Sequence, residues 1–268
     1  MNKQQARANL MKSLRLVVEG LEYIGIPALK GRDNREPGKD EKEIYEDRLR
    51  TVIVRYFGRQ RRKIRDRLHD QYPNRKALVD YGDLYQDDDV IAELIVLLQH
   101  ALKNGISLFG RDIPLQIDWA LTNLRASEWA RKYVFDLVKG IDNTTRSLLQ
   151  DIISQFVDTP GMSIGDVMDL LPFDEVRAQR IAVTEITRTY AQANQLAGED
   201  LREAFPGVAV IKIWNTNNDD RVCEICGPLD GKEVGINENF TMDIANPPAH
   251  VNCRCWITTT TALANLED

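Results

Sequence analysis

Residues 214–256 read WNTNNDDRVCEICGPLDGKEVGINENFTMDIANPPAHVNCRCW, and they hold all four cysteines of the chain and one of its three histidines. The potential ligands form a C-x-x-C pair followed by an H-x-x-C-x-C trio: Cys223, Cys226, His250, Cys253 and Cys255. Two short clusters of thiolate and imidazole groups are the usual ligand set of tetrahedral Zn²⁺. The stretch therefore predicts a structural metal site that closes a small C-terminal domain.

These five candidate ligands compete for the four positions that structural zinc normally offers. A C-x-x-C pair at a turn can direct both sulfurs to one point, and Cys253 and Cys255 project from the same face if they lie in a strand. We therefore favour the four cysteines as ligands. His250 either replaces one of them or lies next to the ligands without binding the metal itself. The alternative is a cluster of reduced thiols that pack together without a metal.

The composition is that of an ordinary globular protein, since 43% of the 268 residues are hydrophobic and 28% are charged. No run approaches the roughly 18 to 20 apolar residues of a membrane span, and the first residues lack the apolar segment of a signal peptide. In a reducing cytosol, clustered cysteines are more often metal ligands than disulfides. Residues 1–105 carry a net charge of +4 and the remainder carries −10. The overall acidity argues against a protein that simply coats nucleic acid.

A basic run on the second predicted helix contrasts with this acidity. Nine Lys and Arg residues stand between residues 48 and 67, where Asp66 is the one acid. One interpretation is contact with DNA phosphates or with an acidic protein surface. The candidate contact residues are Arg55, Arg59, Arg61, Arg62, Lys63 and Arg65. The alternative is a solvated helix face, because no base-reading motif accompanies the run.

Helical periodicity dominates the chain as far as residue 205, and a β-branched pattern follows Pro206-Gly207. Helix ends are expected near Gly105 and Gly140, and Asp142 or Thr144 is expected to cap the helix after the latter. The predicted helices span residues 1–24, 42–72, 90–104, 115–139, 142–157, 164–171 and 175–197, and the predicted strands span 208–214 and 253–260. The predicted fold class is α+β and mostly α. A long helical N-terminal arm and bundle precede a small C-terminal β-hairpin and zinc-knuckle domain, which packs on a long helix.

Three enzymatic interpretations of the Cys/His cluster lack residues that they need. A thioredoxin-like site needs a helix after C-x-x-C, but Gly227-Pro228 follow Cys226. A zinc deaminase needs H-x-E ahead of P-C-x-x-C, and here the histidine comes last. An HNH-type nuclease needs further catalytic residues beside His250. We therefore expect no enzymatic activity, and a metal-dependent nuclease or toxin-like enzyme acting through the cluster stays the alternative.

Several short motifs follow one another in the C-terminal half of the chain. They are R-A-x-x-I-A-x-T-E at 177–185, W-N-T at 214–216, D-D-R-V-C at 219–223, L-D-G at 229–231 and P-P-A-H-V-N-C-R-C at 247–255. In this combination they resemble the phage Mu F-like minor head (head morphogenesis) proteins of tailed bacteriophages. The resemblance covers about residues 121–260 and departs from the family pattern at Val183, where arginine is expected.

The resemblance implies a structural virion protein of low copy number, bound at the portal vertex inside the head and aiding head assembly, DNA packaging or ejection. The partner that the resemblance implies is the portal protein. The major capsid protein, the scaffolding protein and double-stranded genomic DNA are further possible partners, and no membrane is expected. The protein would occupy the host cytoplasm during assembly. The predicted domains are residues 1–110, a helical arm that docks on portal or DNA, and residues 111–268, the Mu F-like domain with its Cys/His cluster at 214–260.

Charged residues inside the resembling region give one further expectation. Glu185 stands beside Ile186 on the inward side of its predicted helix, and Arg221 or Arg254 is the predicted partner of its carboxylate. A buried Arg–carboxylate pair would fix this helix against the metal-bound hairpin. The alternative is that these charges are solvated.

Overall fold

The computed structural model describes residues 36–71, 87–112 and 119–263. Within these ranges the helices are α1 (Lys39–Gln71), α2 (Asp88–Asp112), α3 (Trp119–Asp158), α4 (Ile164–Leu170) and α5 (Glu175–Ala204). The strands are β1 (Val208–Asn215), β2 (Glu233–Gly235) and β3 (Trp256–Leu263), with a short 3-10 helix at Gly227–Leu229. The predicted class, α+β and mostly α, is confirmed. The helix predicted at residues 1–24 lies outside the described residues.

Helix α5 lies at the centre of the packing, because α1, α2, α3 and the sheet all contact it. The residues of α5 that enter the main core recur at helical spacing, and half of them are alanine: Ala178, Ala182, Ile186, Tyr190, Ala193 and Leu196. Apolar side chains of α1, α2 and α3 complete this core. The predicted division between residues 110 and 111 remains a prediction, and described helices on both sides of it share one core.

Short polar sequences fix where α4 and α5 begin. Ser163 accepts a hydrogen bond from the backbone N–H of Asp166 at 3.2 Å, and the Asp166 carboxylate accepts one from the backbone N–H of Ser163 at 2.7 Å. This reciprocal pair is a capping box. Asp174 caps α5 by accepting from the backbone N–H of Arg177 at 2.7 Å. Both predicted helix starts are confirmed.

Two predicted helix ends are wrong, because α2 continues through Gly105 to Asp112 and α3 runs unbroken through Gly140 to Asp158. A Cβ atom at Gly105 would lie 2.7 Å from the Cβ of Ala193. Glycine is therefore needed there to let α2 approach α5, and the packing outweighs its helical cost of about 1 kcal/mol. A Cβ at Gly140 would have no neighbour within 4 Å.

The predicted cap Asp142 is instead buried in the middle of α3. Its carboxylate accepts a 2.5 Å hydrogen bond from the Tyr56 hydroxyl and a 2.9 Å hydrogen bond from Nε2 of Gln60, both on α1. Burial raises the pKa of Asp142, although these hydrogen bonds oppose the shift. The other predicted cap, Thr144, donates to the Gly140 carbonyl one turn earlier. The polar group at 142 thus joins two helices rather than starting one.

Residues 88–110 of α2 have the length and apolar composition that a membrane span would need. Three leucines of this stretch, Leu94, Leu98 and Leu102, are fully buried in the main core. Packing against α1, α3 and α5 therefore accounts for the apolar composition of α2.

The sheet is antiparallel and has the order β2-β1-β3. Strand β1 pairs with β3 along its whole length, from Val208 opposite Leu263 to Asn215 opposite Trp256. Strand β2 covers the other edge of β1 over three residues. One face of this small sheet packs on α5, which contacts both β1 and β3.

The predicted placement of Cys253 and Cys255 in the last strand is wrong, because β3 begins at Trp256. The backbone before it turns instead of extending. Asn252 has a positive φ of 64°, and the N–H of Cys253 donates to the carbonyl of His250 at 3.2 Å. Asparagine is among the few residues other than glycine that tolerate this left-handed conformation.

Gly105→Ala should lower the free energy of unfolding by about 1 to 3 kcal/mol, because the added methyl group would overlap Ala193 where two helices meet. Gly140→Ala is the matched control, since it is also in the middle of a helix but faces open space. It should raise the free energy of unfolding by roughly 0.5 to 1 kcal/mol. Urea unfolding followed by circular dichroism measures both. Equal stability of the two variants would contradict the close approach of α2 to α5.

Candidate metal centre

The side chains of the four cysteines and His250 converge beside the sheet. Nε2 of His250 lies 3.1 Å from Sγ of Cys223 and 3.3 Å from Sγ of Cys226. Sγ of Cys226 lies 3.8 Å from Sγ of Cys253. The ligand atoms form two overlapping groups, each within 4.8 Å: Cys223, Cys226 and His250, and Cys226, Cys253 and Cys255. Cys226 belongs to both groups and joins them.

These separations are close to those of a tetrahedral zinc site. With Zn–S bonds of about 2.3 Å and a Zn–N bond of about 2.0 Å, neighbouring ligand atoms lie roughly 3.5 to 3.8 Å apart. Cys226, Cys253 and Cys255 are only 2%, 1% and 6% exposed. Thiolates buried this deeply need a compensating cation. The donor set therefore fits a metal ion, and its chemistry favours Zn²⁺.

Local hydrogen bonds place the first two ligands on a tight turn, as the C-x-x-C spacing predicts. The backbone N–H groups of Cys226 and Gly227 both donate to the Cys223 carbonyl, at 3.1 and 2.9 Å. Gly231, with a φ of 77°, then lets the chain turn back. Its N–H donates to the Trp214 carbonyl at 2.8 Å, which fastens the turn to the end of β1.

A second segment, residues 247–255, brings the other three candidate ligands and is fastened to α5; we call it the ligand segment. The backbone N–H of Asn252 donates to Oγ1 of Thr184 at 2.8 Å. Nδ1 of His250 lies 2.9 Å from the carbonyl oxygen of Val251, which leaves Nε2 directed at the sulfurs. Two of the motifs that carry the family resemblance, T-E on α5 and H-x-N-C, are therefore in direct contact.

The four thiols divide into two kinds. The Cys255 thiol donates to Cys253 and lowers the pKa of Cys253 to about 5, against the effect of burial. Burial raises the pKa of Cys223, but backbone N–H groups of the C-x-x-C turn outweigh it and lower that pKa below its usual value. Burial raises the pKa of Cys226 to about 12, and the hydrogen bond to Cys253 raises that of Cys255. A bound metal would take the place of the remaining thiol protons.

Trp214 and Trp256 are buried core residues. The Trp214 ring packs edge-on against Phe240, with ring centroids 5.2 Å apart. Its indole Nε1 is buried and has no hydrogen-bond acceptor among the described residues. The ring shares one hydrophobic cluster with three of the cysteines, whose sulfurs are the only side-chain acceptors of the buried residues in that cluster.

Lys212, which the sequence interpretation missed, is only 1% exposed in the centre of β1. Its Nζ donates to the Ala245 carbonyl at 2.9 Å, to Oδ1 of Asn246 at 3.1 Å and to Oε1 of Gln195 at 3.2 Å. Burial lowers the pKa of Lys212 to about 8. The lysine thus ties the loop that leads to His250 onto α5. In the sequence, its place inside the apolar run V-A-V-I-K-I-W is the signal that could have found it.

The predicted ion pair has different partners in the structure. Glu185 is buried, but its carboxylate accepts from the Tyr133 hydroxyl and from Nε of Arg188, the latter at 3.3 Å. Nη1 of Arg254 lies 3.8 Å from Oε2 of Glu46 on α1. Among the described residues Arg221 has no side-chain ion pair, and its backbone N–H donates to Asp219. Glu185 therefore fastens α5 to α3, and Arg254 fastens the Cys/His segment to α1.

The basic run of α1 is largely paired with acids of the same chain. The ion pairs are Arg55–Glu93 at 2.6 Å, Arg59–Asp87 at 3.2 Å, Arg61–Asp169 at 3.9 Å and Arg65–Asp66 at 2.9 Å. The side chains of Arg62 and Lys63 are exposed. Neighbouring carboxylates therefore offset much of the charge that the sequence displays, and contact of the run with DNA or portal stays a prediction.

We expect purified, reduced protein to carry one zinc ion per chain, and we expect a chelator to lower its melting temperature, because the ion links two chain segments. Cys226→Ser should lose stoichiometric zinc, since Cys226 belongs to both ligand groups. Met242→Ala, at a 93% exposed position between β2 and β3, is the control and should keep its zinc. X-ray absorption then separates four sulfurs from three sulfurs and one nitrogen. Metal-free protein with an unchanged melting temperature would refute the site.

Lys212 should make stability depend on alkaline pH. Its pKa is about 8 in the folded protein and 10.5 for an unperturbed lysine, so between these values the unfolded state binds more protons. Stability relative to Lys212→Met should therefore be constant below pH 8 and rise between pH 8 and 10.5, by on the order of 1 to 3 kcal/mol. Denaturant unfolding of both proteins across this range measures the difference. A difference that does not change with pH would contradict the lowered pKa.

Comparison with known protein families matches residues 143–258 to the family described as Phage Mu protein F like protein. No curated protein and no solved structure matches the chain. The matched region begins within α3, includes α4, α5, β1 and β2, and ends in β3 after the Cys/His cluster. It is somewhat shorter than the region of about 121–260 in which the sequence resembles the family. Residues 143–258 are therefore similar to the phage Mu F-like family, which supports the resemblance that the sequence motifs indicate.

Proposed function

We propose that this protein is a minor head protein of a tailed bacteriophage, that it binds at the portal vertex inside the head, and that it aids head assembly, DNA packaging or ejection. The observation that carries the proposal is the family match over residues 143–258. Head assembly, packaging and ejection all pass through the portal vertex, so a protein of low copy number can influence each of them from that place.

The contacts made by the motif residues support a scaffold more than a catalytic site. The backbone N–H of Thr216 donates to Oδ1 of Asp230 at 2.8 Å, which joins the W-N-T and L-D-G motifs. Thr184 accepts from Asn252 and itself donates to the Arg180 carbonyl at 2.7 Å. These groups hold the sheet, the turn and α5 together. We infer that the domain is a rigid module that docks on another head component.

We infer that the metal is a structural Zn²⁺ bound by four of the five candidate ligands. When bound, the ion would neutralise the buried thiolates and cross-link the C-x-x-C turn to the ligand segment. Five donors more than fill the four positions of such an ion, which leaves no position for a substrate. A non-enzymatic role follows from this, and the portal protein is the partner that we propose first.

The ion pairs of the basic run make contact with DNA less favourable than the number of cations in the sequence indicates. Arg55 and Arg59 are held by acids at the start of α2, so they are not available to phosphates without breaking ion pairs. Arg62 and Lys63 have exposed side chains, and we propose that any contact with genomic DNA includes them. Such contact would be secondary to binding of the portal.

The full-length protein, tagged and mixed with purified portal protein of the same phage, should retain the portal at physiological salt. Purified virions should contain the protein in few copies, measured by quantitative mass spectrometry. Cys226→Ser should lose most portal binding, because the module is no longer held rigid, and Met242→Ala should bind as the wild type does. Absence of the protein from virions, or metal-dependent cleavage of DNA without portal binding, would overturn the proposal.

A further inference from the structure

Arg254 lies between two candidate ligands, Cys253 and Cys255, and reaches from the metal centre to α1. Its Nη1 is 3.8 Å from Oε2 of Glu46. Glu46 lies outside the region that matches the family, which covers residues 143–258. The ion pair is thus a direct link between the Cys/His cluster and a helix that the family pattern does not include.

Glu46 is sensitive to this link because the residue is only 5% exposed. Burial raises its pKa, while Lys42 and Arg254 oppose that shift. Glu36 and Glu43, the other charged groups that face it, raise it further. Lys42 also bonds Glu36 at 2.6 Å, so its charge is shared. Arg254 is therefore one of two cations that compensate a buried carboxylate, and loss of either makes its burial less favourable.

The ligand segment sets the position of Arg254. The Arg254 side chain is 44% exposed, and Glu46 is its one ion-pair partner in the described part of the chain. The backbone on its N-terminal side is held by the hydrogen bond from Asn252 to Thr184. Its neighbours on both sides are cysteines of one ligand group, so a bound metal would fix both ends of the peptide that carries Arg254.

We propose that metal binding is coupled to the packing of the first turns of α1 through Arg254 and Glu46, so that the metal centre holds the N-terminal helix as well as its own hairpin. This inference rests on the metal site proposed above. Because coupling is reciprocal, loss of the carboxylate weakens metal binding, and loss of the metal loosens α1 by the corresponding factor. A head protein without metal would then present a loosened helical arm to its partner.

The first test measures zinc affinity of the full-length protein by competition with a chromophoric chelator, with Zn²⁺ alone as the probe. Glu46→Gln should weaken zinc binding by about 5- to 10-fold, at the lower end of the usual range of coupling between sites. Glu93→Gln is the matched control, because Glu93 also pairs with an arginine of the helical part, Arg55, and does not contact the ligand segment. It should change zinc affinity less than about twofold.

The second test separates a coupling through the ion pair from a general effect of charge. In an Arg254→Met background, Glu46→Gln should cause no further loss of zinc affinity. Hydrogen exchange followed by mass spectrometry should show faster exchange at residues 39–50 of the wild type after zinc is removed. In Glu46→Gln, exchange there should already be fast and should depend less on zinc.

The outcomes distinguish this inference from the metal site on which it rests. Wild-type protein that binds zinc while Glu46→Gln binds it equally well would overturn the coupling and keep the site. Additive effects of Glu46→Gln and Arg254→Met on zinc affinity would also overturn it. So would a hydrogen-exchange rate at residues 39–50 that does not change when zinc is removed. Wild-type protein that binds no zinc would overturn both.

Discussion

Cys226 makes the contact on which the C-terminal part of the chain depends, because its sulfur touches both His250 and Cys253. Cys226 and Cys253 are 27 residues apart, and the segment between them has little regular structure apart from a 3-10 turn and the three-residue strand β2. A three-stranded sheet of this size buries little apolar surface by itself and gains stability from what packs against it. Two supports compensate for this: the cluster of soft ligands on one side and α5 on the other. The cluster also sets the start of β3, since the backbone must turn at Asn252 before it can extend.

Helix α5 can support the sheet and the bundle at once because its two faces carry different small residues. Towards α2 it presents Ala193, against which Gly105 packs without a side chain. Towards the sheet it presents Gly198, where a Cβ would lie 2.6 Å from Cδ1 of Ile236. Thr184, also on α5, accepts a hydrogen bond from the backbone of Asn252 in the ligand segment. Substitutions on α5 would therefore disturb the metal centre and the helical core together, and a helix so placed transmits strain between them.

Features that depend on neighbours in sequence could be predicted, and features that depend on distant neighbours could not. The caps at Ser163 and Asp174 and the approach of Cys223 to Cys226 are local, so short patterns identify them. Gly105 resembles a helix stop until its contact with α5, almost ninety residues later in the chain, is known. The sequence offers Glu185 a partner in Arg221 or Arg254, whereas in the structure Arg254 pairs with Glu46 on α1. Propensity and spacing carry no information on such contacts, because tertiary packing decides them.

The same distinction bears on which partner the protein can bind. Nine cations between residues 48 and 67 look in the sequence like a surface for phosphates, but charge in a sequence is not potential at a surface. Arg55, Arg59, Arg61 and Arg65 each have a carboxylate of this chain within 4.0 Å. Arg55 and Arg59 pair with acids in or just before α2, Arg61 pairs with Asp169 of α4, and Arg65 pairs with Asp66 of α1 itself. DNA could reach these cations only by competing with carboxylates already in place. Binding through a rigid module requires no such exchange, and for that reason a protein partner agrees better with this structure than DNA does.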